Sequence, residues 1–158
     1  MDVTVDIADF QVVNDPTTDL VTYSLGSCIG VAIWDPLLRV GGMLHYMLPL
    51  SSIATEKARA NPAMFADTGI PQLFRKAYEF GAVKQRLIVK IAGGASLLDD
   101  NGTFSIGKRN YAVLRQIFLK NGIQIVSEHV GGMISRTMRL QLATGRVTIR
   151  NRGQEIEL

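Results

Sequence analysis

The residues of this chain that could do covalent chemistry are few. The sequence holds one cysteine, Cys28, and two histidines, His45 and His129. A thiolate is a strong nucleophile, and an imidazole within hydrogen-bond reach can take the thiol proton. These residue types point to nucleophilic catalysis, whereas a single cysteine excludes an internal disulfide and a cysteine-cluster metal site. Cys28 can equally be a buried small hydrophobe, because free cysteine is among the most buried residue types.

The spacing of Cys28 and His45 brings the two side chains together if the chain between them forms a β-hairpin. Cys28 immediately precedes an apolar run over residues 29–34, and His45 lies within a second run over residues 41–48. Asp35-Pro36 between the runs is a turn signal, so the runs predict an antiparallel pair. Positions 28 and 45 then face each other within a residue or two, and opposed residues on one face have Cβ atoms about 4.5–5.5 Å apart.

Each of the other side chains that would complete such a site has a second interpretation. Thr22 lies on the strand that leads toward Cys28, where its hydroxyl or carbonyl can orient a histidine. Threonine is also common in strands because of its β-propensity alone. His45 lies among apolar neighbours and needs a partner, which a backbone group can also provide. His129 is the competing histidine, and the sequence does not place it near Cys28.

The segment before Cys28 offers backbone groups as well. Gly26 and Ser27 permit a tight bend whose amide N–H groups can line a cavity and stabilise an oxyanion.

The sequence contains no motif for a phosphate or calcium site. No glycine-rich loop with Gly-Lys-Ser/Thr predicts a phosphate site. Residues 99–102, Asp-Asp-Asn-Gly, lack the later ligands of a calcium loop.

The elements that would position these groups are a β-rich first third, followed by helices that alternate with strands. In chain order the patterns predict a strand over 3–13, a short strand over 21–24, the hairpin, a loop over 51–62, a helix from 62 to 81, a strand over 86–91, a helix from 105 to 122, a strand over 123–126 and a terminal hairpin formed by 139–142 and 146–150. We expect one layered domain of mixed α/β class over residues 1–158, with mixed β-sheets flanked by helices. A doubly wound nucleotide-binding fold is excluded, because no Gly-x-Gly-x-x-Gly joins a strand to a helix.

Composition excludes several classes of protein. The chain has 158 residues, of which 47% are apolar and 20% are charged, a balance typical of a globular domain. The net charge of +3 is too mild to indicate nucleic-acid binding. No apolar run approaches the roughly 20 residues of a membrane span, and no basic segment followed by an apolar stretch predicts a secretory signal. We therefore expect a cytoplasmic protein without membrane insertion.

Charge is unevenly distributed along the chain. The first twenty residues hold five aspartates and no lysine or arginine, whereas residues 101–152 hold nine lysines and arginines and the single acid Glu128. Such a basic segment is either a solvated face or a docking surface for an acidic partner. The sequence does not decide between these two roles.

Several of these segments together resemble the CheD family, the chemoreceptor glutamine deamidases of bacterial and archaeal chemotaxis. The specific part is the pair formed by Gly26-Ser27-Cys28 and Gly41-Gly42-Met43-Leu44-His45, whose cysteine and histidine are seventeen residues apart. The similarity extends from about residue 8 to residue 150. Further segments that resemble the family's motifs are Thr22–Leu25, Trp34–Pro36, Asn61–Thr68, Lys90–Ala95, Ile106–Asn110 and Ala143–Gly145.

The resemblance implies a catalytic set with Cys28 as nucleophile, His45 as base and Thr22 as the orienting residue. It also implies a layered α/β fold shared with bacterial toxin deamidases of the cytotoxic necrotizing factor type. The implied reaction converts receptor glutamines to glutamates with release of ammonia and requires no metal or cofactor. Backbone N–H groups near Gly26 to Cys28, among them those of Gly26 and Ser27, would stabilise the oxyanion. The implied partners are the cytoplasmic helices of chemoreceptors and a CheC-type phosphatase.

Two positions depart from the family's pattern. Ser135 precedes Arg136 where glycine is usual, and Ala92 precedes Gly93 where an aromatic residue is usual. Neither position belongs to the implied catalytic set, but the first adjoins Arg136, which we predict to be a docking residue together with Arg139. The alternative functions are a non-catalytic adaptor that binds receptors and a CheC-type phosphatase, and a thiol hydrolase that acts as a receptor methylesterase.

Overall fold

The computed structural model describes residues 1–96 and 105–158, so the acidic stretch over 99–102 lies outside the described residues. Within these ranges the chain forms ten strands and three α-helices. The strands are β1 (Asp2–Thr4), β2 (Asp9–Val13), β3 (Asp19–Leu25), β4 (Ile29–Asp35), β5 (Val40–Tyr46), β6 (Ile88–Gly93), β7 (Ser127–Val130), β8 (Arg136–Gln141), β9 (Val147–Asn151) and β10 (Gln154–Glu157). The helices are α1 (Thr55–Ala60), α2 (Ala66–Glu79) and α3 (Ile106–Lys120), with short 3-10 helices at Ser51–Ile53, Pro62–Met64 and Lys84–Arg86.

The strands form two five-stranded sheets that pack face to face, and helices form a third layer. The first sheet has the strand order β1-β3-β8-β9-β10, and the second has the order β2-β5-β4-β6-β7. Leu20 and Met138 of the first sheet pack against Met43 of the second, between the sheets. Val31 and Leu44 point from the other face of the second sheet toward α2 and α3. This architecture confirms the predicted mixed α/β layered class.

Strand β4 is apolar on both faces because each face packs against a different layer. Successive side chains of a strand point in opposite directions. Ile29 and Val31 therefore lie in the core beside the helices, whereas Ala32 lies in the core between the sheets. Gly30 is on the inter-sheet face, where a Cβ would lie 2.8 Å from Met138 Sδ. The missing side chain of Gly30 thus lets the two sheets approach closely at this point.

The predicted hairpin is confirmed as the antiparallel pair β4–β5. Gly30 lies opposite His45 in the ladder. Cys28 precedes Gly30 by two residues and packs on the same inter-sheet core, so it is a diagonal cross-strand neighbour of His45. At the turn, Asp35 is buried and pairs with Arg86, whose Nη2 lies 2.8 Å from the carboxylate.

The strand expected over residues 3–13 is wrong as a single element. The segment forms two strands of different sheets: β1 pairs in parallel with β3, and β2 pairs antiparallel with β5. The chain passes from one sheet to the other over residues 5–8, where Ala8 adopts a φ of 59°. Alternating apolar residues occur in both strands, so their pattern does not reveal the change of sheet.

Other boundaries also differ from the sequence-based expectation. Residues 51–62, expected to be a loop, include α1, and the helix expected from residue 62 begins as a 3-10 turn before α2. The strand expected over 123–126 is wrong, because the strand of this region is β7 and begins at residue 127. Ile123 and Ile125 pack against the core beside the helices without joining the sheet. Burial of these two side chains, and not strand pairing, explains their alternation.

The later elements follow the prediction more closely. The helix expected from residue 105 is confirmed as α3, and the terminal hairpin is confirmed as the pair β8–β9. An additional strand, β10, extends the first sheet by pairing with β9. Among the described helices, none combines the length and apolar character that crossing a bilayer requires.

Part of the uneven charge is neutralised within the first sheet. Arg139 on β8 lies 2.8 Å from Asp2 and 3.0 Å from Asp19, so it joins the acidic start of the chain to the basic segment. Two further arginines of the basic segment pair with glutamates near the C-terminus. Exposed pairs of this kind contribute about 0–1 kcal/mol each. The docking role of Arg139 stays a prediction.

Candidate active site

Thr22 and His45 meet between the two sheets. Thr22 lies on β3 and His45 on β5, and both side chains are fully buried. Thr22 Oγ1 is 2.7 Å from His45 Nδ1. The same hydroxyl donates to the carbonyl oxygen of Val5 at 2.7 Å. The partner that a buried histidine needs is therefore a side chain of the opposite sheet.

A bulge in β3 allows Thr22 and Leu25 to point inward together. Residues three apart on a regular strand point to opposite faces. Thr22 lies opposite Met138, and Leu25 lies opposite Arg136, so β3 uses one more residue than β8 between the two pairs. Ser24 accommodates the extra residue with a φ of 60°. The chain then enters the bend that carries Cys28.

The hydrogen bonds of Thr22 determine the tautomer of His45. A hydroxyl has one proton, and a carbonyl oxygen can only accept, so the Thr22 proton points to Val5. The Thr22 oxygen is left to accept from Nδ1–H of His45. The neutral ring therefore carries its proton on Nδ1 and its lone pair on Nε2. Nε2 is buried and has no hydrogen-bond partner within the described ranges. Its lone pair can therefore accept a proton, as a general base must.

Burial keeps His45 neutral. It lowers the pKa of the imidazole from 6.5 to about 4, because the imidazolium would lose its hydration between the sheets. At neutral pH the ring is therefore unprotonated at Nε2 and able to accept a proton.

Cys28 lies at the margin of the same inter-sheet core and is half-buried. Burial raises the pKa of its thiol above the ordinary value, so the thiol is protonated at neutral pH. The sulfur makes no hydrogen bond to Nε2 of His45 in this conformation. Diagonal neighbours on paired strands lie about 7–8 Å apart. The resting pair is thus a neutral thiol near a neutral imidazole, and the contact between them must tighten when substrate binds.

Hydrogen bonds to three consecutive carbonyl groups hold the bend that presents Cys28. The carbonyl oxygens of Gly26 and Cys28 accept from the backbone N–H groups of residues 95 and 94, each at 2.9 Å. The carbonyl oxygen of Ser27 accepts from Nδ2 of Asn110, also at 2.9 Å. The bend is therefore fastened to the end of β6 and to α3.

Two glycines allow this close packing of backbone on backbone. Gly93 has a φ of 114°, and a Cβ at this position would overlap the carbonyl oxygen of Cys28. A Cβ at Gly107, in the first turn of α3, would overlap the carbonyl oxygen of Ala95. The bend, the end of β6 and the start of α3 consequently leave no room for side chains between them.

The structure changes the set of predicted oxyanion donors. The N–H of Gly26 donates to the carbonyl oxygen of Ser24 at 3.0 Å, so Gly26 does not offer a free donor as expected. The N–H groups of Ser27 and Cys28 donate to no other residue in the parts of the chain that the structure describes; the N–H of Cys28 lies beside its own sulfur, where it partly opposes the effect of burial on the thiol pKa. These two amides, held in a tethered bend beside the thiol, are the available oxyanion donors.

His129 has a partner other than Cys28. Its Nδ1 accepts from Nε of Arg136 at 2.8 Å. Arg136 is only 3% exposed, and its guanidinium also donates to the carbonyl oxygens of Gly93 and Gly131 at 3.3 Å and 2.6 Å. Arg136 thus supports the loops behind the Cys28 bend. Its burial argues against the docking role predicted for it, because the charge does not reach the surface.

Sequence reasoning missed Asn110. This residue of α3 is fully buried, and its Nδ2 donates to the carbonyl oxygens of Ser27 and Met47, each at 2.9 Å. In the sequence it resembles one more polar residue of an amphipathic helix. The available signal is its spacing, since a polar residue at an apolar position of a helix needs buried partners. The buried residues of α3 are Gly107, Asn110, Leu114 and Phe118.

Comparisons with known proteins agree with the resemblance of the sequence. A family model described as CheD chemotactic sensory transduction matches residues 47–151. The chain is 53% identical over 152 residues to a protein of Syntrophus aciditrophicus (strain SB) named probable chemoreceptor glutamine deamidase CheD 1, covering 96% of this chain and 95% of that protein. A relative from Solibacter usitatus (strain Ellin6076) with the name probable chemoreceptor glutamine deamidase CheD is 51% identical over 154 residues, covering 98% and 91% of the two chains. A relative from Thermococcus kodakarensis, with the name probable chemoreceptor glutamine deamidase CheD, is 40% identical over 161 residues. The match covers 99% of this chain and 98% of that protein. The chain therefore belongs to the CheD family.

Proposed function

We propose that this chain is a chemoreceptor glutamine deamidase in which Cys28 attacks the glutamine side-chain amide and His45 transfers the protons. One observation carries the proposal. His45, whose tautomer is set by Thr22, has a free Nε2 on the inter-sheet face to which the half-buried Cys28 also belongs. Relatives matched over nearly their full length are named probable chemoreceptor glutamine deamidases, which supports the choice of substrate.

In the first half-reaction, the sulfur of Cys28 bonds to the amide carbon as the thiol proton passes to Nε2 of His45. The carbonyl oxygen becomes an oxyanion, which the N–H groups of Ser27 and Cys28 stabilise. The imidazolium then protonates the amide nitrogen, the C–N bond breaks, and ammonia leaves. A thioester between Cys28 and the glutamyl side chain remains.

In the second half-reaction, a water molecule attacks the thioester carbon while Nε2 of His45 takes its proton. The C–S bond breaks, the sulfur of Cys28 leaves as a thiolate, and the imidazolium returns the proton to it. The net change is hydrolysis of an amide to a carboxylic acid and ammonia. Thr22 accepts from Nδ1–H of His45 in both charge states of the ring, and so keeps Nε2 pointed at the reaction throughout.

The neutral resting state suits a site between two sheets. A buried thiolate–imidazolium pair would lose the hydration of two charges, and their attraction often fails to repay that loss. Because burial raises the pKa of Cys28 and lowers the pKa of His45, the proton stays on sulfur until attack begins. Charge then develops at the oxyanion, where the donors of the bend are already in place.

The proposal extends to where the reaction occurs. The substrate glutamines lie on the cytoplasmic helices of chemoreceptors, so the protein acts in the cytoplasm. Since Cys28 is half-buried at the margin of the core, a glutamine side chain reaches in while the receptor helix stays outside. A CheC-type phosphatase stays a predicted partner.

The test is ammonia release from a purified cytoplasmic receptor fragment, together with the mass change of its glutamine-containing peptides. The wild-type protein should release ammonia, and Cys28→Ala should not. Ser52→Ala is the control, because Ser52 is an exposed residue of the 3-10 helix at Ser51–Ile53 and takes no part in the proposed site. Activity that survives in Cys28→Ala would overturn the proposal. Methanol release from a methylated receptor without ammonia would identify a methylesterase, and receptor binding with neither product would identify an adaptor.

A further inference from the structure

We infer that Asn110 is a positioning residue for this reaction: it sets the plane of the Ser27–Cys28 peptide and so directs the Cys28 N–H at the oxyanion. The inference rests on the proposed function and adds to it a residue that does not touch the substrate. It is carried by the hydrogen bonds of the Asn110 side chain, by the geometry of the peptide bond and by the burial of Asn110.

The hydrogen bonds of Asn110 close the open end of the hairpin. Its two acceptors are the carbonyl oxygens of Ser27 and Met47, each 2.9 Å from Nδ2. Of the two ends of the Asn110 side-chain amide, only the NH₂ group can donate to two carbonyl oxygens, so the orientation of the amide is determined. Ser27 and Met47 lie just beyond Ile29–Tyr46, the terminal pair of the β4–β5 ladder. Asn110 therefore joins the two chains where ladder pairing stops.

Because the peptide group is planar, the hydrogen bond from Asn110 to the Ser27 carbonyl also fixes the direction of the Cys28 N–H. In a trans peptide, C=O and N–H point in opposite directions within one plane, and the described chain has no cis peptide. Asn110 draws the carbonyl oxygen of Ser27 toward α3, so the N–H of Cys28 points away from α3. That N–H donates to no other residue within the described ranges. Releasing the carbonyl would let the plane rotate and misdirect the donor.

Asn110 is itself held firmly enough to act as an anchor. It is fully buried, and its backbone carbonyl oxygen accepts from the Tyr46 hydroxyl at 2.7 Å. Its Oδ1 is buried and has no hydrogen-bond partner in the described parts of the chain. An apolar side chain would bury no unsatisfied acceptor of its own, but it would leave the carbonyl oxygens of Ser27 and Met47 without their donor. The use of Asn110 therefore lies in the two bonds that its Nδ2 donates.

The test is the variant N110D, which keeps the shape of the side chain and replaces the NH₂ group by oxygen. In its ionised form, which is reached at high pH, the carboxylate offers no proton to Ser27 or Met47, and we expect kcat for a glutamine peptide to fall about 100-fold, the loss typical of one oxyanion donor, with little change in KM. Protonation restores one donor, so kcat of N110D should rise as the pH falls, a trend absent from the wild-type protein. N121D is the matched control at the far end of α3, where Nδ2 of Asn121 bonds to the Ile117 carbonyl, and it should keep the wild-type kcat.

A second measurement separates positioning from general structural support. Alkylation of Cys28 by iodoacetamide needs an accessible sulfur but no oxyanion donor, so N110D should be alkylated at close to the wild-type rate. Equal losses in alkylation and kcat, or a loss of kcat that is independent of pH, would overturn the inference. N110S, which keeps one hydroxyl donor, replaces N110D if that variant does not fold, and should lose less of kcat than N110L.

The outcomes also separate this inference from the proposed function. An unchanged kcat in N110D beside an active wild-type protein would overturn the inference alone. Absence of ammonia release from the wild-type protein would overturn the proposed function, and the inference with it.

Discussion

Replacing Thr22 by valine tests the tautomer argument, because it removes one hydroxyl and nearly preserves the shape of the side chain. That hydroxyl accepts from Nδ1–H of His45 and donates to the carbonyl oxygen of Val5, with both distances 2.7 Å. Thr22→Val leaves these two groups buried between the sheets without partners. His45 then loses the contact that keeps its proton on Nδ1.

The expected size of the effect follows from the loss of buried hydrogen bonds. Each buried group left unsatisfied costs about 1–3 kcal/mol, so Thr22→Val should lower the free energy of unfolding by about 2–6 kcal/mol. In catalysis, the His45 tautomer with a free Nε2 loses about 1–3 kcal/mol of stabilisation, which corresponds to a fall in kcat of about 5- to 150-fold. KM should change little, because Thr22 lies behind the histidine and does not face the substrate.

The assay is ammonia release from a glutamine peptide, with thermal unfolding measured on the same samples. Thr22→Ser keeps the hydroxyl and should retain most of the activity. Thr148→Val makes the same change at another buried threonine of the first sheet, on β9, and should leave kcat unchanged. Nitrogen-15 NMR of His45 in the wild-type protein should show the proton on Nδ1.

Two results would refute the reasoning. One is a folded Thr22→Val protein with the wild-type kcat. The other is an NMR spectrum of the wild-type protein in which the neutral ring of His45 carries its proton on Nε2.

Two further predictions concern the charge of His45 and the bend that carries Cys28. Because burial lowers the pKa of His45 to about 4, kcat/KM should fall by only about a tenth between pH 7 and pH 5. With a base of the ordinary pKa of 6.5, kcat/KM would instead fall about 25-fold over this range. A pH profile of kcat/KM with its midpoint near 6.5, measured on protein shown to be folded at each pH, would contradict the prediction. Gly93→Ala would place a Cβ against the carbonyl oxygen of Cys28, so kcat should fall about 100-fold through displacement of the bend. The control is Gly153→Ala, because Gly153 also has a positive φ, of 79°, but an added Cβ would meet open space in the described structure. This variant should lower only the melting temperature. Equal kcat values in the two variants would contradict the argument.

The part of the site that sequence patterns predict is the part built by local structure. Two apolar runs on either side of Asp35-Pro36 predict a hairpin, and the register of that hairpin then brings Cys28 and His45 to one face. Nothing outside residues 28–46 is needed for this step. The layered α/β class is similarly predictable, because it depends on the order and type of the elements.

The remaining contacts join elements that are distant in the chain. Thr22 reaches His45 from the opposite sheet through a bulge, and periodicity does not reveal which sheet a strand joins. The family resemblance, more than the sequence pattern, points to Thr22. Asn110 and Arg136 have polar or charged side chains that would ordinarily lie on the surface, and only the packing of α3 and β8 shows that both are buried.

The central claim is that Cys28 forms a thioester with the glutamyl side chain, and the most direct measurement is the mass of that intermediate. Wild-type protein would be mixed with a glutamine peptide, quenched with acid during turnover, digested and analysed by mass spectrometry. The account predicts an adduct on the fragment that contains Cys28, with the mass of the peptide less ammonia, and its removal by hydroxylamine. Continued ammonia release without an adduct on Cys28, accompanied by activity in Cys28→Ala, would contradict the account.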